Sequence, residues 1–470
     1  MEQNRIATLL GQGEEPTLRE TFGAVLQLAW PAILEQIMIT AVQYVDTAMV
    51  GRLGASSTAA VGLTSSSIWL FNGLFSAASV GFSVQVAHHL GAGRQAEARS
   101  VTAQSLRFIM IFGVFVGAVA VALSFPLPNL LGAAPDVAPQ AGWYFRIIAL
   151  GMPFTLGVNM ISAVMRCAGD TRSPMILNTM INVVNVVLNF FLIYPARRIS
   201  IFGVSLPVWG AGMGVSGAAL ASITSTALIF AVFLLLLFRK SSPVQLTARD
   251  SRTLRPECLR TALRLGVPVA LERATMCFAQ IVITGMISGI GTVAMAANHL
   301  AVTAESLSYS PAYGVSVAAT TLVGQAIGAR RRELAMRFAK LSTFIGIGIM
   351  TLGGVFLFVC AQPLITLFTP DQEVIALGTQ VLRIVAFAEP LFGASIVTSG
   401  ALRGAGDSRG PFLICLGTMW GVRITLSLLL TRPMGLVGVW LAMAAELIVR
   451  GAIFLLRLFS GHWMRGELFE

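Results

Sequence analysis

Six carboxylates lie inside long apolar stretches of this 470-residue chain: Glu35, Asp46, Glu272, Glu305, Glu389 and Glu446. An ionised side chain at the centre of an apolar helix costs roughly 2.5–3.5 kcal/mol to insert, so its default reading is function. Asp46, in "QYVDTAMVG", follows Glu35 by eleven residues, close to three helical turns, so both share one helix face. A later stretch, "ILNTMINVVNVVLNFFLIY", sets Asn178, Asn182, Asn185 and Asn189 at spacings of four, three and four, one polar stripe on a very apolar helix. A carboxylate with amide and hydroxyl oxygens suits a hard monovalent cation such as Na⁺, or a proton held on Asp46. The same stripe also suits interhelical hydrogen bonding. Glu35 and Glu272 each follow a proline by four residues, which favours a structural or gating role. Glu305 suits a cationic substrate or a helix–helix hydrogen bond. Tyr309, Tyr313, Phe278 and Met276 suit an aromatic cavity for organic cations, or packing against lipid. Glu446 and Arg450, one turn apart, are expected to pair locally.

The elements that must position these residues follow from composition. The chain is 56% hydrophobic and 11% charged, with mean hydropathy +0.79. Soluble proteins carry about 25% charged residues. This chain reads as an all-α integral membrane protein, with the lipid bilayer as its first partner. Twelve stretches are long enough to span: 22–50, 58–87, 101–125, 139–165, 174–195, 212–238, 260–286, 294–322, 338–361, 376–401, 411–430 and 434–458. A backbone in lipid must satisfy itself, so these are helices. The net charge of +11 comes from arginines in short gaps between apolar runs, which reads as loop charge and not as a nucleic-acid surface. Alternate gaps are basic: 88–100, 166–173, 239–264, 329–340 and 403–410. Both termini are therefore expected on the cytoplasmic side. The five cysteines are odd in number and show no C-x-x-C spacing, so they read as buried free thiols. No secretory signal is evident. His88-His89 falls at a helix end and reads as interfacial.

One phrase occurs twice. "MRCAGDTRSP" begins at Met165 and "LRGAGDSRGP" at Leu402, with Arg166, Gly169, Asp170 and Arg172 matched 237 residues on by Arg403, Gly406, Asp407 and Arg409. The same offset matches Pro31 to Pro268, Glu35 to Glu272, Gln43 to Gln280, Gly54 to Gly291, Arg146 to Arg383 and Pro153 to Pro390. A single register over that length means two related six-helix halves in parallel orientation. We read an N-lobe at 1–238, a basic cytoplasmic linker at 239–257 and a C-lobe at 258–470. Such tandem halves, with a substrate site between them, are a plan of secondary transporters. Gln43 and Gln280 become paired substrate or gating candidates. Arg166, Asp170, Arg403 and Asp407 become a loop clamp, with a gating role as the sharper option. The halves differ at one telling place: the counterpart of Asp46 is Ile283.

Other chemistries are excluded. "GAGMGVSG" has G-x-G-x-x-G spacing but opens a membrane helix and follows no strand unit. There is no P-loop and no H-E-x-x-H. No cofactor is expected, and no metal beyond a Na⁺ at Asp46.

"YVDTAMVGRLG", "LVGQAIGARRRE" and the doubled "MRCAGDTRSP/LRGAGDSRGP" resemble the multidrug and toxic compound extrusion (MATE) family, over essentially the whole chain. The resemblance implies twelve helices in two pseudo-symmetric lobes. It implies antiport, in which organic and often cationic compounds leave while Na⁺ or H⁺ enters. The family's first-helix aspartate matches Asp46, its fifth-helix pair matches Asn185 and Asn189, its fourth-helix polar position matches Asn159, and its sixth-helix hydroxyl matches Ser222. Some relatives carry a second site from a seventh-helix Glu and a tenth-helix Asp. Here Glu272 falls about one turn early, and the tenth-helix position near Phe392 is apolar.

The expected function is export of cationic or amphipathic small compounds by alternating access. The expected setting is a prokaryotic inner membrane, with the protein acting as a monomer and not as an enzyme. The alternatives are a lipid-linked oligosaccharide flippase of the same superfamily, or a membrane-embedded enzyme. The flippase would need cations deep in its cavity, whereas the deep candidates here read as acidic, with the arginines mostly at helix ends. The enzyme would need a catalytic cluster, and none is visible.

Overall fold

The computed structural model describes residues 16–130, 133, 135, 137–201, 204–239, 244–246 and 255–465. Most of the linker expected at 239–257 lies outside the described residues. Twelve helical elements follow one another: α1 Leu18–Gly51, α2 Ala55–Gly91, α3 Gln95–Leu123, α4 Ala138–Cys167, α5 Arg172–Leu192, α6 Gly214–Phe238, α7 Pro256–Ser288, α8 Thr292–Gly328, α9 Arg332–Thr366, α10 in two parts, α11 Arg409–Met434 and α12 Leu436–Ser460. The parts of α10 are Gln372–Ala386 and Glu389–Gly404, bent by 57° just ahead of Pro390. Its counterpart α4 runs through Pro153 unbroken. One π-helical turn interrupts α3 at Ile109–Gly113 and another interrupts α11 at Met419–Ile424.

The helices begin and stop where local chemistry dictates. Thr17 and Glu20 form a reciprocal capping box at the start of α1. The glycines of the doubled phrase, Gly169 and Gly406, both sit at φ +91, where a side chain is disfavoured. Gly93 turns the chain between α2 and α3 at φ +73, and its counterpart Arg330 is forced to φ +59 in the same turn. Not everything is helical. β1 Pro195–Ile201 and β2 Val204–Ala211 form an antiparallel hairpin between α5 and α6. It fills the gap between the fifth and sixth expected spans. Pro207 is tolerated because a two-stranded sheet has only edge strands.

Each lobe has its own apolar core, but the cores exchange helix ends. Ala24, Val25 and Leu28 of α1 pack with Val315, Phe338 and Phe454 of the C-terminal half. Cys258 and Ala262 of α7 pack with Phe75, Phe82 and Phe145 of the N-terminal half. We call the side of the bundle that carries the doubled phrase the clamp end. There the halves meet through bare backbone. A Cβ at Gly91 would overlap the carbonyl of Gln325, and one at its counterpart Gly328 would overlap the carbonyl of His88. Gly81 on Ala262, and Gly314 on Ile33, are as tight. Toward the other end, Gly51, Gly62 and Gly285 have nothing within 4 Å. The halves are closed at the clamp end and part away from it.

Two symmetric hydrogen bonds fasten that seam. His88 Nε2 of α2 donates to the carbonyl of Gly404, the last residue of α10, at 2.8 Å. Gln325 Nε2 of α8 donates to the carbonyl of Cys167, the last residue of α4, at 2.8 Å. The final carbonyls of a helix have no partner within it, and here the opposite lobe supplies one. His88 is thus buried in a cross-lobe bond, not interfacial as its place in the sequence suggested. A side chain at Gly328 must wedge this seam. We expect Gly328→Leu to raise labelling of buried Cys167 by a water-soluble maleimide several-fold over wild type, read by mass spectrometry of the Cys167 peptide. Unchanged labelling would show that the seam does not control access to the clamp end.

Candidate functional site

The doubled arginine turns inward from its loop. Arg166 Nη1 reaches Glu35 Oε1 at 2.8 Å, and Asn178 Nδ2 donates to the same oxygen at 2.7 Å. In the second half Arg403 Nη2 donates to Glu272 Oε1 and Oε2 at 2.7 and 2.8 Å, with the Cys415 thiol 3.7 Å from Oε1. Glu35 and Glu272 are buried. Every member of the first triad has its counterpart in the second at the 237-residue offset. The doubled aspartates do the loop's work. Asp170 Oδ1 accepts from the Ser173 amide at 3.0 Å, and Asp407 Oδ1 accepts from the Gly410 amide at 2.9 Å. Asp407 is also gripped by Arg457 of α12.

One asparagine stripe serves two sites. Asn178 belongs to the ion pair, whereas three turns along α5 Asn189 Nδ2 donates to Asp46 Oδ1 at 2.8 Å. Glu35 with Asn178, and Asp46 with Asn189, are pairs of equal sequence separation, so α1 and α5 run parallel in fixed register. Asn185 completes a chain. With its amide one way round, its oxygen accepts from Asn189 at 3.0 Å and its nitrogen donates to Ser222 Oγ at 3.0 Å. Turned over, its nitrogen faces both Asp46 oxygens at 3.0 and 3.2 Å and its oxygen faces Ser222. Asn189 is buried, and its carbonyl oxygen has no hydrogen-bond partner. The Tyr144 phenol of α4 lies within electrostatic reach of Asp46. Nothing in the sequence singled out Tyr144. Asn159 is half-buried, and among the described residues no hydrogen bond joins it to this chain. On the same helix as Asp46, Tyr44 donates to the Thr303 carbonyl of α8 at 2.9 Å and lies 3.3 Å from Ser306 Oγ, while Thr40 Oγ1 lies 3.1 Å from Ser310 Oγ. So α1 meets Asn178 and Asn189 of α5 and the opposite lobe on α8.

The C-terminal half carries buried charge that the N-terminal half lacks. Ser308 Oγ donates to Glu389 Oε2 at 2.7 Å, and Glu389 Oε1 is buried without a partner. Glu305 lies within electrostatic range of Glu389, Arg423 and Arg450. Thr418 Oγ1 donates to Glu446 Oε1 at 2.8 Å, and Arg450 Nε stands 3.3 Å from that oxygen. Arg423 rides on the π-helical turn of α11, a device frequent at functional sites, and donates to Met443 Sδ. The counterparts of Glu305, Glu389 and Arg423 at the 237-residue offset are Ile68, Met152 and Val186, all apolar.

Most arginines lie in loops or near helix ends, but not all. Arg273, Arg423 and Arg450 all lie well inside spans. Loop counting missed them because each is solitary within an apolar run. The aromatic group also differs in membership. Tyr309 stacks edge-on with Tyr313 at 5.9 Å and with Phe392 at 5.8 Å, beside Met350 and Ile396. Phe278 is 62% exposed, as is Ile281 at 63%, and Met276 packs into the C-terminal core. Among the described residues Phe392, from α10, is the further ring that reaches the tyrosines. Gln43 and Gln280 are exposed side chains.

Twelve helices in two halves, closed at one end around paired internal salt bridges, with polar sites inside each half, define a two-lobed membrane transporter. A family model described as MatE matches residues 31–191 and again 268–429, and the chain belongs to the MatE family. The probable multidrug resistance protein NorM of Thermotoga maritima is 28% identical, covering 97% of this chain and 95% of its own. The multidrug resistance protein PmpM of Pseudomonas aeruginosa is 26% identical, covering 94% and 92%. Among solved structures, a MOP-superfamily transporter from Pyrococcus furiosus superposes with TM-score 0.88 at 23% identity over 98% of both chains. A MATE transporter solved in an outward-facing conformation superposes with TM-score 0.87 over 97% and 98%.

The paired salt bridges can be weighed directly. Removing one partner of a buried pair leaves the other charge stranded, at about 3–5 kcal/mol. We expect Glu272→Gln and Arg403→Met each to lower the thermal unfolding midpoint of the purified protein strongly. The double variant should recover much of the loss, because no lone charge remains. Additive losses would mean that the two residues do not act as a pair.

Proposed function

We propose that this protein is a cation-coupled antiporter that exports cationic or amphipathic organic compounds by alternating access, driven by H⁺ or Na⁺. The observation that carries this reading is the chain Asp46, Asn189, Asn185 and Ser222, with one Asn189 oxygen buried and unpartnered. A carboxylate and neutral oxygens at that spacing can take a proton or a hard monovalent cation. The multidrug resistance names of its relatives support the exported class. We place the clamp end, with both termini, on the cytoplasmic side of a prokaryotic inner membrane, because the arginine-rich gaps lie there. On that placement the structure is open to the outside. The protein acts as a monomer, without a cofactor and without enzymatic chemistry.

Coupling follows from the position of α1. Asp46 and Tyr44 are two residues apart, so occupancy of the Asp46 site shifts the helix whose other contacts hold α8. A ligand shifts a two-state equilibrium only by its differential affinity for the two states. A cation that favours one shape of α1 and a compound that favours the other are then reciprocally linked. Pro31 and Gly51 give α1 places to bend. A flippase for lipid-linked substrates is the second reading. The observation in its favour is the set of arginines inside the C-terminal half.

Export of a fluorescent organic cation from proteoliposomes, driven separately by a Na⁺ and a pH gradient, tests this. One gradient should drive transport in wild type, and Asp46→Asn should lose at least tenfold of that rate. Normal transport by Asp46→Asn would remove Asp46 from the mechanism. Failure of both gradients with several cations would turn attention to lipid-linked substrates.

A further inference from the structure

The geometry points to Arg273 as the docking point for an anionic group, a carboxylate, sulfonate or phosphate, on the compound this transporter carries. This rests on the antiporter reading above and narrows its substrate class to compounds that pair an aromatic or apolar body with such a group, zwitterions among them.

Arg273 stands where three helices converge. It belongs to α7, its Cβ and Cγ lie 3.2 and 3.4 Å from where a Cβ would stand on Gly73 of α2, and its guanidinium lies within electrostatic reach of the Tyr313 phenol of α8. The contact of α2 with α7 runs from the clamp end through Gly81 on Ala262 and Gly266 on Ala77 to Gly73 on Arg273. Beyond it, Gly62 of α2 and Gly285 of α7 have nothing within 4 Å. Arg273 is thus the last residue of the seam and the first of the cleft, half-buried and still reached by solvent.

Its charge is not spent on a salt bridge. The neighbouring carboxylate, Glu272, is taken by Arg403 through both oxygens. No carboxylate lies within ion-pair distance of Arg273 among the described residues. Arg450 also lies within electrostatic range of Glu272, so three guanidiniums share the neighbourhood of one carboxylate. An arginine this deep is expensive to insert, and its default reading is function. A planar, always-charged fork suits bidentate capture of a carboxylate or phosphate. The counterpart in the first half is neutral Gln36, so this positive centre is not a requirement of the repeated scaffold.

Rhodamine B and its ethyl ester share one dye cation and differ only in a free carboxylate. Equilibrium binding of each to the purified full-length protein in nanodiscs should separate recognition of the anion from general dye binding. We expect Arg273→Gln to weaken rhodamine B binding about tenfold while the ester changes less than twofold. Arg273→Lys, which keeps the charge, should recover part of the loss and guards against a variant that fails to fold. Equal weakening of both dyes would make Arg273 a structural residue and overturn the inference. So would wild-type protein that binds the ester and not the acid, or neither dye. Gradient-driven export of the ester, alongside no preference of Arg273 for the acid, would leave the antiporter reading standing and this one fallen. Arg273-dependent binding of the acid, with no export under either gradient, would do the reverse.

Discussion

An arginine held against a glutamate inside each lobe is the interaction from which the rest of the architecture takes its register. Arg166 and Arg403 come from the last turns of α4 and α10, and they reach Glu35 and Glu272 near the midpoints of α1 and α7. These inner helices also touch the opposite lobe. Fixing their height inside one lobe therefore fixes what they present to the other. The Asn178 contact then sets α5 beside α1 at the level that brings Asn189 to Asp46. A charge pair in so apolar a setting contributes little net stability against an apolar replacement, and its value here is in specifying one alignment. The doubled phrase is the sequence trace of that pair.

On this shared frame the lobes hold different chemistry. The first has one acid among amides and hydroxyls, with its counterpart an isoleucine. The second has a dense set of glutamates and arginines, with counterparts that are nearly all apolar. The two bundles share one frame, and their interior positions now differ in charge, a lone acid among amides in one and a dense set of glutamates and arginines in the other. The bend of α10 belongs to the same divergence. Glu389 opens the second part of that helix, directly after the break, with one oxygen bound by Ser308.

Much of this was legible in the chain. Hydropathy located the twelve spans because lipid forces each to be long and apolar. The repeat set their order, and Asp46 stood out as a solitary acid without a counterpart. Glu446 and Arg450 pair as their one-turn spacing implied. Three things were not legible. The hairpin at Pro195–Ala211 is too short for periodicity to separate from a loop. The role of Arg273 depends on a glycine two hundred residues away and on the prior engagement of Glu272 by Arg403, and neither is visible from local spacing. The seam bonds of His88 and Gln325 join side chains to carbonyls, which leave no mark in residue type at the accepting end. Comparing His88 with Gln325, and Arg273 with Gln36, across the repeat would have flagged these positions.

The glycine contacts at the clamp end carry a kinetic consequence. Where Gly91 meets Gln325 and Gly328 meets His88, the closing surfaces are main chain on main chain. Interlocked side chains must find matching rotamers each time they come together, and that search has an entropic cost. A smooth backbone face has no rotamers to match. It can part and reseat with few side-chain bonds to remake there, those of His88 and Gln325 with Gln85 to the Cys258 carbonyl and Thr321 to the Arg166 carbonyl, much as a ground valve seats without a latch. Closing this end therefore asks for little ordering of side chains at the glycine contacts themselves.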